Sequence, residues 1–291
     1  VAEGDRLAFS TDSYVIDPLF FPGGNIGKLA ICGTANDVAV SGAIPRYLSC
    51  GFILEEGLPM ETLKAVVTSM AETARAAGIA IVTGDTKVVQ RGAVDKLFIN
   101  TAGMGAIPAN IHWGAQTLTA GDVLLVSGTL GDHGATILNL REQLGLDGEL
   151  VSDCAVLTPL IQTLRDIPGV KALRDATRGG VNAVVHEFAA ACGCGIELSE
   201  AALPVKPAVR GVCELLGLDA LNFANEGKLV IAVERNAAEQ VLAALHSHPL
   251  GKDAALIGEV VERKGVRLAG LYGVKRTLDL PHAEPLSLIH I

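Results

Sequence analysis

Residues 59–87 read PMETLKAVVTSMAETARAAGIAIVTGDTK, and the hydrophobic period changes once within them. Leu63, Val66, Val67, Met70 and Ala74 recur at i, i+3, i+4, i+7 and i+11, the apolar stripe of an amphipathic helix. Pro59 suits the first turn of that helix and Gly78 its end. Ile79–Thr83 then reads as a short strand and leads into the polar run Thr83-Gly84-Asp85-Thr86-Lys87. Upstream, Tyr47–Leu54 reads as a strand, 24–42 as a helix of small residues, and Leu7–Ile16 as a strand carrying Thr11-Asp12-Ser13. Downstream, Lys96–Ala106 is a further strand. The order β-α-β-α-β-β indicates an α/β unit.

Pro108 to Gly121 reads as a join. Asp122–Ser127 opens a second α/β unit, with helices expected near 132–144, 156–166, 178–192, 207–216 and 236–246. Strands are expected at 195–198, 228–233 and 254–269. Val181, Val184, Val185, Phe188, Ala189 and Cys192 share one face of the helix at 178–192. Trp113 is expected to pack at the join, and the stretch from Pro281 onward to be extended and exposed.

The 291 residues suit two domains of ordinary size. A mean hydropathy of +0.41 is too apolar for a disordered chain. No apolar run reaches the roughly 18–20 residues of a membrane-spanning helix. The net charge is −9 and no Lys/Arg cluster of five occurs, which argues against nucleic acid as a partner. Apolar yet acidic composition favours a homo-oligomer that covers part of its own surface. Of the six cysteines, Cys192 and Cys194 form a C-x-C pair without a second ligand pair, so a zinc site is not expected. The cysteines read as small buried residues in a reduced, cytoplasmic chain without a signal peptide. A start at Val1 reads as the loss of an N-terminal piece.

Familiar nucleotide motifs are missing. Gly24-Asn25-Ile26-Gly27-Lys28 falls short of a Walker A loop, and Leu29 stands where Ser or Thr would bind Mg²⁺. Instead, four polar runs interrupt apolar segments: Ser10-Thr11-Asp12-Ser13, Asn36-Asp37, Thr83-Gly84-Asp85-Thr86-Lys87, and Asp175-Ala176-Thr177-Arg178-Gly179-Gly180. Each carries an Asp, a hard ligand of the kind Mg²⁺ takes together with substrate phosphates. Plainer readings stand beside this one. Asp12 also fits an exposed strand position, Asp37 a helix contact, Asp85 a glycine turn and Thr177 an N-cap. Gly179 and Gly180 at a helix start cost stability and favour a phosphate approaching backbone N–H groups. Asn225-Glu226-Gly227-Lys228 is either a surface turn or a strand edge that presents Glu226 as a proton acceptor. His133 reads as a cap or a surface residue.

Together these runs resemble the HypE-type hydrogenase maturation proteins over residues 1 to about 286. Their superfamily includes aminoimidazole ribonucleotide synthetase, selenophosphate synthetase and thiamine-monophosphate kinase, which bind ATP without a Walker A loop. Asp175–Gly180, Asn225-Glu226-Gly227 and Pro281-His282-Ala283-Glu284-Pro285 point to the HypE type. The resemblance implies a two-domain α/β (α+β) fold. An ATP-binding domain at 1–115 would dimerise through its sheet, followed by an α+β domain at 116–280 and a flexible tail at 281–291. ATP would lie between the domains.

The implied reaction begins with a carbamoyl group received on a C-terminal Cys from the carbamoyltransferase HypF. ATP then drives dehydration of this thiocarboxamide to a thiocyanate, and the cyanide passes to the HypC–HypD complex for the hydrogenase iron centre. An amide oxygen leaves poorly until it is phosphorylated, after which elimination of phosphate gives the nitrile. Asp12, Asp37, Asp85 and Asp175 would hold Mg²⁺. Thr86, Thr177, Gly179, Gly180 and Asn225, with Asp37 and Lys87, would contact the nucleotide. Lys87 and Arg178 would balance phosphate charge, and Glu226 would be the base. The sequence departs from the family's Pro-Arg-Ile-Cys ending, reading Pro285-Leu286-Ser287-Leu288-Ile289-His290-Ile291. It also lacks the family's Gly-rich N-terminal segment. This chain is therefore expected to bind nucleotide weakly and not to complete dehydration on itself. A small-molecule kinase or synthetase of the same superfamily, or a non-enzymatic nucleotide-sensing docking module, stays open at this point.

Overall fold

The computed structural model describes residues 5–146 and 148–280. The expected tail at 281–291, with Pro281–Pro285, lies outside the described residues. The first unit comprises β1 (Arg6–Tyr14), a small hairpin of β2 (Phe20–Phe21) and β3 (Gly24–Asn25), α1 (Ile26–Val40), β4 (Ile44–Glu55), α2 (Met60–Ala76), β5 (Ala80–Val89) and β6 (Leu97–Ile107). Its sheet runs β1-β6-β4-β5. The β4–β5 pair is parallel, joined by α2 as crossover, and the other pairs are antiparallel.

Alternation decides which face of this sheet is covered. Leu48, Cys50 and Leu54 of β4 and Leu97 and Ile99 of β6 point to the helices and are buried. Leu7, Phe9, Tyr47, Ile53 and Met104 occupy the other face and are exposed. The helix α1 is apolar or small almost all round, and nearly every residue of it is buried, as its sequence requires. It lies against β1, β6 and α2 on one side and reaches β8 and α4 of the second unit on the other. The Gly24–Lys28 run that falls short of a Walker A loop caps this helix. Asn25 Oδ1 accepts from the Gly27 and Lys28 N–H groups at 2.9 and 3.1 Å.

The second unit comprises β7 (Val123–Val126), α3 (Asp132–Glu142), α4 (Thr158–Gln162), β8 (Val170–Asp175), α5 (Gly180–Cys192), β9 (Gly195–Ser199), α6 (Pro207–Leu216), β10 (Leu229–Val233), α7 (Ala238–His246), β11 (Ala255–Val261), β12 (Gly265–Ala269) and β13 (Lys275–Thr277). They form one sheet of order β13-β12-β9-β11-β7-β10-β8. Its strands β7 and β10 are fully buried, with α5 packed on one face and α4 and α7 on the other. No helix among the described residues is long and apolar enough to cross a membrane. All six cysteines are free thiols.

The sequence reading did not identify the β2–β3 hairpin or β13, and the structure departs from the expected elements in three further ways. The run Thr83–Lys87 lies inside β5, not after it, because β5 continues to Val89 along β4. The expected strand at 254–269 is two strands, β11 and β12, separated by a turn. Residues 170–175 form a strand, β8, that the sequence reading did not identify. Lys171 and Arg174 break its apolar pattern, yet it pairs along β10 and carries Asp175 at its end. Trp113 does pack at the join, half-buried against the α4–α7 core.

Candidate functional site

A cleft opens where the end of β1, the face of α1, the end of β8 and the loop before β10 meet. It encloses about 790 Å³, counting the part open to solvent. Asp12, Asp37, Asp175, Thr177, Arg178 and Glu226 all line it. Three of the four Asp-bearing polar runs, together with the Asn225–Lys228 run, therefore converge on one place. Gly33 lies one helical turn before Asp37, and its missing side chain lets Tyr14 approach α1; a Cβ there would stand 2.4 Å from the Tyr14 hydroxyl. Tyr14 then bonds Thr34 at 2.9 Å, and Thr34 bonds Thr101 at 2.6 Å, which fixes β1 and β6 on α1.

The cleft is rich in carboxyl groups with few compensating charges. Asp175 is 3% exposed, and its Oδ1 is buried without a hydrogen-bond partner among the described residues. Burial, with the charge of Asp37 adding and Arg174 opposing, pushes its carboxyl up to about 6. Burial also raises Asp37, against a hydrogen bond of 2.9 Å from Ser10 Oγ. Glu226 is raised well above the carboxylate range by burial first, then by Cys154, Asp153, Asp175 and Asp12. Such a set stores unfavourable charge that a bound cation would relieve.

Other expected site residues lie elsewhere or do different work. Asp85, Thr86 and Lys87 are on β5, the sheet edge opposite β1, three strands and about 14 Å from it at normal strand spacing. Asp85 and Lys87 pair at 3.2 Å in the open, their side chains 68% and 72% exposed. The four carboxylates expected to hold Mg²⁺ are thus not gathered within one chain. No group of three metal-ligating side chains occurs among the described residues. Asn225, expected at the nucleotide, is buried and fully used by the protein. Its Oδ1 accepts from Gly131 N–H at 2.8 Å, and its Nδ2 donates to the Ala176 and Phe223 carbonyls at 3.0 Å. Gly179 and Gly180 are needed by the backbone, with φ of +71° and +62°. A Cβ on Gly180 would also stand 2.4 Å from the Leu221 carbonyl oxygen. Asn36, beside Asp37, staples the two units, donating to the Ala155 carbonyl at 3.0 Å and accepting from Leu157 N–H at 2.8 Å.

Three residues were missed by the sequence reading. Tyr14 was hidden in an ordinary strand pattern. His133, read as a cap or surface group, is buried in the cleft wall. Asp153 had no motif around it, yet it holds the Glu226 loop. Its carboxylate accepts from Glu226 N–H at 3.0 Å and Gly227 N–H at 3.2 Å, and pairs with Lys228 at 3.3 Å. Gly227 has no room for a side chain, since a Cβ would stand 1.9 Å from the Asp153 carbonyl oxygen. Asp153→Ala would leave Lys228, 11% exposed, without its partner. The expected cost is about 3–5 kcal/mol, as for other broken buried ion pairs. Urea unfolding reads it; a loss under 1 kcal/mol, about the value of a surface pair, would show that the clasp is not structural.

Comparison with known proteins follows the same lines. The AIR synthase related protein, N-terminal domain, matches residues 1–107, and the corresponding C-terminal domain matches residues 119–270. The chain is 99% identical over 289 residues to carbamoyl dehydratase HypE of Escherichia coli (strain K12), covering 99% of this chain and 86% of that protein. It is similar to HypE in a HypE–HypF complex, with 48% identity, a TM-score of 0.93, and 97% and 92% of the two chains covered. It is also similar to the hydrogenase maturation protein HypE in complex with ATP, with 46% identity, a TM-score of 0.93, and 96% and 86% covered.

Proposed function

The chain belongs to the HypE family of carbamoyl dehydratases, ATP-using enzymes of hydrogenase maturation, and from that premise we propose how its cleft performs the reaction. The observation that carries the proposal is the convergence of Asp12, Asp37, Asp175, Thr177, Arg178 and Glu226 on one cleft between the two units. The substrate is a thiocarboxamide carried on a C-terminal cysteine, and the product is a thiocyanate.

The residues fit Mg²⁺ brought in with ATP. Asp175 Oδ1 is an orphaned acceptor in a carboxylate-rich cleft, and Mg²⁺ needs only one or two carboxylates beside the phosphates. Asp175 and Asp37 would hold the ion, with Asp12 in the same cleft lining, and the ion would supply charge neutralisation at the phosphates. Thr177 and Arg178 sit at the cleft rim beside α5 and position the phosphoryl group. Glu226 takes a proton from the carbamoyl nitrogen, and the burial that raises its carboxyl makes it a strong acceptor once ionised.

A homodimer completes this reading. The open face of the first sheet carries Leu7, Phe9, Tyr47, Ile53 and Met104, and a second copy is the natural cover for it. In that arrangement Asp85, Thr86 and Lys87 of one protomer would serve the cleft of the other. HypF supplies the carbamoyl group, a role supported by the HypE–HypF complex of a close relative. The cyanide passes on to the HypC–HypD complex. A cytoplasmic location is supported by the six free thiols. Division at 1–115 and 116–280 is supported by the two sheets.

The test is mass spectrometry of a chain ending in Pro-Arg-Ile-Cys and carbamoylated on that cysteine. Loss of one water on adding Mg·ATP is expected. A folded, carbamoylated chain that keeps its mass with Mg·ATP would overturn the reading.

A further inference from the structure

His133 stands on the first turn of α3 and is 4% exposed. Its Nδ1 lies 2.8 Å from Ser152 Oγ. That oxygen already accepts the Cys154 N–H at 3.2 Å, and Ser152 is itself anchored by its N–H to the Pro22 carbonyl at 2.8 Å. The hydroxyl proton of Ser152 therefore needs an acceptor, and among the described residues His133 Nδ1 is the one within reach. With Nδ1 accepting, the neutral ring carries its proton on Nε2. Phe21 meets the ring edge-on, with centroids 5.4 Å apart and planes at 82°, which fixes the ring plane. Nε2 has no protein partner among the described residues, and the ring lines the same cleft as Glu226 and Asp175. The result is one N–H donor, held rigid from behind, on a ring that lines the reaction space.

We propose that His133 is a catalytic residue whose Nε2–H donates a hydrogen bond to the oxygen that moves from the carbamoyl group to phosphate. The assignment rests on the dehydration read for this cleft above. In that reaction the carbonyl oxygen attacks the γ-phosphorus, the C–O–P link forms and the bond to ADP breaks. The C–O bond then breaks, the nitrogen gives up its two protons, and C≡N forms while the oxygen departs on phosphate. One oxygen atom thus carries the developing negative charge through both steps, so one fixed donor serves both. His133 gives up no proton in either step; Glu226 takes one of the two nitrogen protons and the departing phosphate carries away the other.

Burial supports this role. It pulls the His133 ring down to about 4, with Arg141 adding to the effect and the charge of Asp153 opposing it. The ring is therefore neutral across the physiological range. A neutral imidazole donates without turning into an acid that would reprotonate the nitrogen.

The experiment uses the carbamoylated chain ending in cysteine, with single-turnover water loss in Mg·ATP followed by mass spectrometry. His133→Ala is expected to slow water loss by about 10²-fold, as loss of one oxyanion donor does elsewhere, with Mg·ATP affinity unchanged. His133→Gln keeps an N–H donor and is expected to recover at least half of that loss on a logarithmic scale. An Ala variant at the parent rate, or a folded Gln variant as slow as Ala, overturns the proposal. Nitrogen-15 NMR of the parent chain gives an answer that needs neither variant to fold. The Nε2–H tautomer between pH 6 and 8, within the range where histidine ordinarily titrates, is expected; the Nδ1–H tautomer or an imidazolium overturns it. A parent chain that never loses water overturns the dehydratase reading and the proposal with it, whereas a working parent matched by its Ala variant overturns His133 alone.

Discussion

Glu226→Gln is expected to lower the rate of water loss by about 10³-fold, within the usual range for a lost general base, and to make the protein more stable. The two effects have one cause. Burial and the charges of Asp153, Asp175 and Asp12 raise the Glu226 carboxyl well above the carboxylate range. The folded state therefore holds the proton more tightly than the unfolded chain does. The stabilising contribution of that proton is complete below about pH 4.3, the unfolded value for Glu, and is lost as pH rises through the folded value. Gln carries no such proton and keeps nearly the same shape. The melting temperature of the variant relative to the parent should thus climb with pH and be smallest in acid. Scanning calorimetry at several pH values reads the gap, and single-turnover mass spectrometry reads the rate. A variant that still dehydrates at the parent rate, or a gap that closes as pH rises, would refute the assignment of Glu226 as the buried base.

The architecture was legible where one physical signal dominated. The stripe Leu63–Ala74 and the small-residue run at 24–42 specified α2 and α1, because helical period and all-round apolarity admit few alternatives. β8 was not legible. Lys171 and Arg174 interrupt Val170, Ala172 and Leu173, and each finds an acidic partner, Lys171 the buried Asp122 at 2.9 Å and Arg174 the exposed Glu187 at 3.4 Å. Six residues of half-polar pattern look like a loop until β10 is there to pair with them. The site divides in the same way. Short polar runs that each carry an Asp and interrupt apolar segments marked Asp12, Asp37 and Asp175. His133 and Asp153 carry no local signal: their roles arise from Ser152 and from the Glu226 loop, which are contacts across the chain. Asn225, Gly179 and Gly180 stood out as nucleotide contacts, and the structure gives them a backbone role as well. They are irreplaceable to the backbone around the cleft, and a sequence alone does not separate that from ligand binding.

Mixing two inactive chains is expected to restore about a quarter of the parent activity if a symmetric dimer shares its sites. Asp85 motivates the experiment. It has the same polar-run signature as the other three Asp residues, yet it lies on the far edge of the sheet with its side chain 68% exposed. Within one chain it cannot serve the cleft. Gly84 beside it is pressed onto β4, where a Cβ would stand 2.2 Å from the Cys50 carbonyl oxygen, so β5 holds a fixed line and Asp85 cannot swing inward with it. Ile81, Val82 and Val88 of the same strand are exposed. An uncovered apolar edge strand is an invitation to aggregate unless a partner covers it. A second copy docked on this sheet would bury those residues and bring Asp85 to the neighbouring cleft. Asp85→Asn and Glu226→Gln should each abolish activity as homodimers. In a mixed dimer, the protomer with intact Glu226 receives Asp85 from its neighbour and has a complete site, while the other site lacks both. Random pairing makes half the dimers mixed, and half the sites in those are complete. Recovery on mixing, with light scattering at twice the chain mass, is the expected result. If Asp85 acts within its own chain, no mixed dimer has a complete site and activity stays at the level of the two variants. That outcome, or scattering at the mass of a single chain, would remove the shared site and leave Asp85 as an exposed strand residue paired with Lys87.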